Sequence, residues 1–187
     1  RRQRQMCIRD SAFPQISNIH IVDSLEDVVR GSDLISYCST GEVGDPSTYP
    51  LVRREWVKPG AFLAMPAPCS IDAGMEQDDI RKVLDNTGMY NAWFEELPKP
   101  AHNCVPLVGV RFMDMIAEGK LHPEQLEDIG KIIAGDAPGR LNDEEIILMS
   151  VGGMPVEDLA WGTVVYRKAV EMGIGVKLNL WDTPVLS

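Results

Sequence analysis

The chain has 187 residues, of which 44% are hydrophobic and 25% are charged, a composition typical of a globular protein with one large domain or parts of two. Its 18 basic and 28 acidic residues give a formal net charge of -10, which repels phosphate backbones and anionic membrane surfaces and argues against nucleic-acid and membrane partners. No run of about eighteen apolar residues occurs, so the sequence predicts no transmembrane helix.

The first eleven residues differ in composition from the rest of the chain. Residues 1–10 are strongly basic within an otherwise acidic sequence and have no hydrophobic periodicity. Their sequence equals one translated frame of a common transposase-based sequencing adapter, and they contain no apolar stretch that would indicate a targeting peptide. We therefore expect residues 1–11 to be an adapter artefact and the natural protein to begin upstream of this chain.

From residue 18 the sequence alternates between apolar runs and helical patterns. Residues 18–22, 33–38 and 61–65 are β-branched or apolar runs that predict three strands. Ser24 opens a capping box, which predicts a short helix ending at Val29. This alternation predicts a parallel sheet whose ligands bind at the carboxyl ends of its strands.

The second half of the chain contains further helices and strands. Its patterns predict a helix over residues 77–84, a strand over 89–94, a helix over 108–121, a strand over 145–150 and a long helix over 156–172. In the long helix, Leu159, Val164, Ala169 and Val170 have the spacing of buried residues. We find no internal repeat and no low-complexity segment.

The cysteines and histidines lack the spacing of a metal site. Cys7, Cys38, Cys69 and Cys104 lie far apart, which fits neither a zinc site nor a disulfide framework and predicts a reducing, cytoplasmic environment. The three histidines are isolated, so we expect no metal cofactor. The sequence also lacks a Gly-x-Ser-x-Gly nucleophile motif and a Gly-x-Gly-x-x-Gly dinucleotide motif.

The segment from Ser150 to Gly153 has two interpretations. In the first, its glycines relieve strain at a turn between a strand and the long helix. In the second, free N–H groups at the start of that helix contact an anionic substrate carboxylate or a cofactor phosphate. Spacing alone leaves both interpretations open.

A block of motifs near the C-terminus resembles a known family. The block contains Gly139 and Arg140, a strand, Ser150, Val151 and Gly152, the acidic pair Glu157 and Asp158, a long helix with Tyr166 and Ala169, and finally Gly173 and Gly175. Upstream, Asp33 before a strand, Ser39 and Thr40 after it, and Gly60 before the next strand complete the likeness. Over residues 32–180 the sequence resembles the ornithine cyclodeaminase and mu-crystallin family.

This resemblance implies a fold and a cofactor. The fold would be α/β, with a Rossmann-like parallel sheet truncated in its N-terminal half and the C-terminal part of an α/β substrate-binding and dimerisation domain. We expect the second half of the cofactor-binding domain over residues 12–107 and the return to the other domain over residues 108–187. The resemblance also implies NAD, or NADP, as cofactor and a homodimer as the assembly.

The resemblance also assigns site residues by position. The cofactor would contact Ser39, Thr40, Pro66, Ala67, Pro68, Ser150 and Val151, and the substrate would contact Val151, Gly152 and Gly153. Counted without gaps from Gly60, the family's catalytic carboxylate falls on Cys69, and its lysine falls on Ala73. Because a thiol is a weaker general base than a carboxylate, Asp72 is the second candidate for the catalytic group.

Three functions follow from the resemblance. The leading one is an NAD-dependent ornithine cyclodeaminase-like enzyme that acts on a small L-amino acid; the family's type reaction converts L-ornithine into L-proline and ammonia. The second is an NAD(P)H-dependent cyclic-imine reductase or an amino-acid dehydrogenase. The third is a crystallin-like protein that binds NAD(P) without turnover. We expect the 187-residue chain alone to be inactive, because it lacks the phosphate-binding glycine loop.

Overall fold

A computed structural model describes residues 18–38, 41–42 and 44–178 of the chain. These residues divide into two units, the first ending at Gly152 and the second beginning at Gly153. The first unit contains, in chain order, α1 (Leu25–Val29), β1 (Leu34–Ser36), β2 (Leu51–Val52), β3 (Phe62–Met65), β4 (Ser70–Ile71), β5 (Ile80–Leu84), α2 (Thr87–Glu96), α3 (Val108–Ala117), β6 (Leu126–Asp128), α4 (Ile129–Ala134) and β7 (Ile146–Ser150). The second unit contains α5 (Pro155–Met172).

The main sheet has five strands in the order β1-β3-β7-β5-β6, and every pair is parallel. The last strand in the described part of the chain, β7, therefore lies at the centre of the sheet. A separate two-stranded parallel sheet joins β2 to β4. Residues 108–152 lie in the first unit together with this sheet. The domain boundary expected after residue 107 concerns the whole protein and stays a prediction.

The core of the first unit lies between the central strands and the helices α2 and α3. Leu63 of β3 and Leu148 of β7 are fully buried, as are Tyr90 of α2 and Phe112 of α3. Buried residues on both faces are typical of strands in a parallel sheet that is covered by helices. The apolar residues of these elements therefore fix the carboxyl ends of the strands in place.

Arg81 connects three chain segments beside the start of β5. Its side chain is 8% exposed and donates to the carboxylate of Glu127 in β6 at 2.6 Å. Its guanidinium also lies 3.4 Å from the carboxylate of Glu145. It also donates to the carbonyl oxygens of Pro138 and Gly139. The carboxylates raise the pKa of Arg81, with the hydrogen bond to Glu127 as the largest cause. This guanidinium thus links β5 to β6 and to the loop before β7.

Two predicted elements are exchanged in the structure. Residues 77–84, predicted as a helix, contain the strand β5, and residues 89–94, predicted as a strand, lie within α2. Arg81 and Lys82 interrupt the apolar run of β5, and for this reason the sequence pattern did not predict a strand here. The side chain of Asn86 accepts a hydrogen bond from the Met89 N–H at 3.1 Å, so an N-cap starts α2 despite its aromatic, β-favouring residues.

Most other predicted elements are confirmed. The structure contains the helix capped by Ser24, the strands β1, β3 and β7, the helix α3 and the long helix α5. Residues 18–22 form no strand. Of the four residues of α5 expected to be buried, Leu159, Val164 and Val170 are at least 60% exposed. Within the described ranges, no helix is long and apolar enough to cross a membrane.

The loop before α3 is held by a buried carboxylate and a half-buried imidazole. Asp114 is 4% exposed and accepts hydrogen bonds from the backbone N–H groups of Ala101 and His102 at 2.8 and 2.9 Å. The Nδ1 atom of His102 lies 3.1 Å from the Leu107 carbonyl oxygen. Burial is the largest cause that lowers the pKa of His102 below its ordinary value of 6.5, so this loop prefers the neutral imidazole.

We expect the free energy of unfolding to fall below about pH 6.5 because the unfolded chain protonates His102 before the folded protein does. Its contribution should decrease by up to about 1 kcal/mol between pH 6.5 and 5.5. Urea unfolding at both pH values measures the loss. His102→Gln does not titrate and should lose this part of the pH dependence. Equal pH slopes in the parent and the variant would contradict the prediction.

Candidate functional site

The carboxyl ends of the five parallel strands lie at one edge of the main sheet, where such sheets bind ligands. The loop of residues 66–69 follows β3, and the turn of residues 150–152 follows β7. Met65 lies opposite Ser150 in the register of these neighbouring strands, and the Val151 N–H donates to the Met65 carbonyl oxygen at 3.1 Å. The structure therefore brings together two of the segments that the sequence selected.

A cleft opens at the carboxyl end of β1. It has a volume of roughly 330 Å³, and its lining includes Leu25, Val28, Tyr37 and Cys38. Tyr37 is 4% exposed, and its hydroxyl has no hydrogen-bond partner among the residues that the structure describes. Burial is the largest cause that raises the pKa of Tyr37, and the nearby Cys69 raises it further. The predicted cofactor contacts Ser39 and Thr40 lie outside the described residues.

Cys69, the first candidate for the catalytic group, is fully buried. Its Sγ atom lies 3.8 Å from the Sδ atom of Met65, and its backbone N–H donates to the Pro106 carbonyl oxygen at 3.3 Å. Burial raises the pKa of the Cys69 thiol to about 12, so the thiol is protonated at neutral pH. A buried, protonated thiol cannot accept a proton as a general base, which weighs against this candidate.

Asp72, the second candidate, binds the protein backbone. Its Oδ1 atom accepts hydrogen bonds from the N–H groups of Arg54 at 3.2 Å and Met75 at 3.0 Å, and its Oδ2 atom also lies 3.2 Å from the Arg54 nitrogen. Its own N–H donates to the Val52 carbonyl oxygen. The carboxylate thus stabilises the loops around the β2-β4 sheet, and its catalytic role stays a prediction.

Ser150 ends the central strand and is fully buried. Its Oγ atom accepts a hydrogen bond from the Gly109 N–H at 2.8 Å and lies 3.0 Å from the hydroxyl of Tyr90. Tyr90 packs edge-on against Trp93, with ring centroids 5.6 Å apart. The Ser150 hydroxyl therefore connects the end of β7 to α2 and to the first turn of α3.

The turn after Ser150 is held by a carboxylate that the sequence analysis did not select. Asp85 follows β5, is 7% exposed, and accepts the Gly152 N–H on Oδ2 at 2.8 Å and the Asn86 N–H on Oδ1 at 3.1 Å. The Val151 N–H is bonded to the Met65 carbonyl oxygen. Neither the Val151 N–H nor the Gly152 N–H is therefore available to an anion. Gly153 begins the second unit. The sequence signal for Asp85 was weak, because only Val83 and Leu84 separate it from Arg81 and Lys82.

In the described part of the chain, no group of three or more His, Cys, Asp or Glu side chains has a geometry that could hold a metal ion. The polar side chains of this edge bind backbone groups and one another instead.

Comparison of the sequence with known families and curated proteins gives consistent matches. Residues 2–173 match the model of the ornithine cyclodeaminase/mu-crystallin family. The chain is 25% identical over 169 residues to the N-((2S)-2-amino-2-carboxyethyl)-L-glutamate dehydrogenase of Staphylococcus aureus, covering 90% of this chain and 44% of that protein. It is 26% identical over 154 residues to the alanine dehydrogenase of Archaeoglobus fulgidus, covering 82% of this chain and 44% of that protein. The chain thus spans less than half the length of these two relatives.

Two solved structures resemble the fold. An archaeal alanine dehydrogenase dimer with bound NAD matches with a TM-score of 0.62 and 21% identity, covering 96% of this chain and 51% of that chain. Thermococcus litoralis Delta(1)-pyrroline-2-carboxylate reductase, in complex with NADH and L-proline, matches with a TM-score of 0.62 and 21% identity, covering 84% and 44%. These likenesses show a Rossmann-like α/β fold, as the sequence predicted.

Proposed function

Because the chain belongs to the ornithine cyclodeaminase/mu-crystallin family, we propose that the protein is an NAD(P)-dependent oxidoreductase acting on the Cα–N bond of a small amino acid or its imine. The curated relatives support this proposal, since they include two dehydrogenases of this kind and a Delta(1)-pyrroline-2-carboxylate reductase from Bacillus thuringiensis that is 43% identical over 52 residues, 28% of this chain and 16% of that protein. The substrate would be a small molecule, and neither nucleic acid nor membrane is expected as a partner.

The residues at the carboxyl edge of the sheet fit a nicotinamide cofactor. The cleft after β1 has apolar walls, and the buried Tyr37 hydroxyl has no partner in the described part of the protein. Pro66, Ala67 and Pro68 would line the nicotinamide side, because their loop adjoins the end of β7. When bound, the cofactor supplies or accepts the hydride.

The buried Cys69 thiol is the observation that selects the reaction. Cyclodeamination requires a general base near the substrate amine, and the thiol at the family's carboxylate position is protonated because burial raises its pKa to about 12. Dehydrogenation of an amino acid transfers the Cα hydride to NAD(P)⁺ and releases one proton from nitrogen, so it also needs a proton acceptor. Reduction of a cyclic imine runs the other way, with a hydride from NAD(P)H and one proton taken up on nitrogen, and it needs no general base. We therefore favour an imine reductase over an ornithine cyclodeaminase, with an amino-acid dehydrogenase as the second candidate.

A two-sided assay of the full-length protein tests this proposal, because the 187-residue chain alone is expected to be inactive. In one direction, NADH and NADPH consumption is followed with pyrroline-2-carboxylate and piperideine-2-carboxylate. In the other, ammonia release and NADH formation are followed with alanine, ornithine, lysine and arginine in the presence of NAD. We expect consumption of the reduced cofactor with a cyclic imine, or NADH formation from an amino acid. Conversion of ornithine to proline without net NADH formation would restore the cyclodeaminase, and cofactor binding without turnover would favour a crystallin-like role.

We also propose that the protein is a homodimer in which α5 belongs to the substrate-binding and dimerisation domain. Leu159, Trp161 and Tyr166 of α5 are at least 70% exposed, and exposed apolar side chains on one long helix are typical of an interface. The archaeal alanine dehydrogenase resembling this fold is a dimer. Sedimentation equilibrium of the assayed protein should therefore give twice the mass of one chain, and the mass of a single chain would contradict the dimer.

A further inference from the structure

Five residues form one connected hydrogen-bond cluster at the carboxyl edge of the sheet, which we call the Ser150 cluster. Its members are Asp85, Tyr90, Gly109, Ser150 and Gly152, joined by the side-chain bonds Gly109–Ser150, Tyr90–Ser150 and Gly152–Asp85 and by the bond from the Asp85 N–H to the Ser150 carbonyl oxygen at 3.3 Å. The side-chain bonds connect residues 41, 60 and 67 positions apart in the sequence. They thus tie the ends of β5 and β7 to the helices α2 and α3.

The Ser150 cluster is rigid because it is buried and closely packed. Ser150 and Tyr90 are fully buried, so breaking any of these bonds would leave a polar group without water. A Cβ atom at Gly152 would lie 2.3 Å from the flexible Cε end of Met89, 3.1 Å from the Cη2 atom of Trp93 and 3.2 Å from the Tyr90 hydroxyl. The turn of residues 150–152 is therefore packed against side chains of α2.

We propose that Asp85 and Tyr90 are positioning residues that fix the turn of residues 150–152 against the nicotinamide end of the bound cofactor. This inference rests on the proposed function, because that function places the nicotinamide beside Ser150 and Val151. Asp85 holds the Gly152 N–H, and Tyr90 holds the Ser150 hydroxyl. Loss of either contact frees the turn without altering the cleft after β1.

The chain offers a matched control at the neighbouring strand. Asp128 ends β6, as Asp85 follows β5, and its Oδ1 atom accepts the Thr87 N–H at 2.7 Å. Both carboxylates therefore bind a backbone N–H at the start of α2, but only Asp85 also binds Gly152. Asp85→Asn and Asp128→Asn are expected to disturb α2 to similar degrees, and only Asp85→Asn disturbs the turn.

The test compares two ligands by isothermal titration calorimetry in the full-length parent protein and in its Asp85→Asn, Tyr90→Phe and Asp128→Asn variants. NADH contains nicotinamide, whereas ADP-ribose lacks it. We expect the Kd for NADH to rise about tenfold in Asp85→Asn and Tyr90→Phe, which corresponds to roughly 1.4 kcal/mol. The Kd for ADP-ribose should stay within about twofold in all variants, as should both constants in Asp128→Asn.

Three results would overturn the inference, and they are distinguishable. If folded Asp85→Asn and Tyr90→Phe bind NADH as the parent does, these residues do not position the turn. If both ligands lose affinity equally, with a lowered Tm, the cluster only stabilises the fold. If the parent binds neither ligand, the proposed function fails, and the positioning role fails with it. Tyr90→Phe removes a single hydroxyl and remains informative where Asp85→Asn does not fold.

Discussion

Arg81→Met is expected to lower the free energy of unfolding by about 3–5 kcal/mol, because breaking a buried ion pair leaves a charge without its partner. The Arg81 side chain is 8% exposed and that of Glu145 is 9% exposed. Methionine keeps the apolar stem of the side chain but donates no hydrogen bond, so Glu145, Glu127 and the carbonyl oxygens of Pro138 and Gly139 lose a donor. Urea unfolding followed by circular dichroism measures the change.

Two further variants distinguish the effect of burial from the effect of the unpaired charge on the free energy of unfolding. Lys168→Met breaks the Lys168–Glu171 pair, whose side chains are 61% and 69% exposed, and is expected to change stability by less than about 0.5 kcal/mol because solvent screens exposed pairs. Adding Glu145→Gln to Arg81→Met removes the stranded charge and should restore part of the loss. A loss below about 1 kcal/mol in Arg81→Met would show that the pair does not stabilise the sheet.

Gly109→Ala is expected to lower the free energy of unfolding by about 3 kcal/mol, the upper end for overpacking a core. A Cβ atom at this position would lie 2.4 Å from the Cε1 atom of Tyr90. The ring cannot move away freely, because Tyr90 is fully buried and its hydroxyl lies 3.0 Å from Ser150 Oγ. Thermal and urea unfolding of the variant measure the loss.

The matched control is a helical glycine with open space around it. A Cβ atom at Gly162 in α5 has no neighbour within 4 Å, so Gly162→Ala should stabilise its helix by about 0.5–1 kcal/mol through backbone entropy. The two substitutions add the same methyl group and differ only in surroundings. Equal effects of Gly109→Ala and Gly162→Ala would contradict the packing shown at Tyr90.

Local patterns predicted those parts of the fold that depend on neighbours in the sequence. The capping serine Ser24 identified α1, since its side chain accepts the Asp27 N–H only three residues away. The apolar runs of β1, β3 and β7 identified strands, and their alternation with helices indicated a parallel sheet. The same logic predicted that the loops after β1 and β3 lie at one edge; Ser39 and Thr40 lie outside the described residues, and only the structure brings the turn after β7 beside the loop after β3.

The sequence by itself determined the α/β class, the parallel sheet and the family, and it predicted the loops that could bind a ligand, because each follows from residues close together in the chain or from a motif. Only the tertiary structure decided that residues 80–84 form a strand, since burial between β6 and β7 outweighs the local influence of Arg81 and Lys82. It also decided that Cys69 is a buried, protonated thiol. Asp85, Tyr90 and Ser150 could not be connected from the sequence, because hydrogen bonds between residues 60 or more positions apart form only when the sheet brings them together.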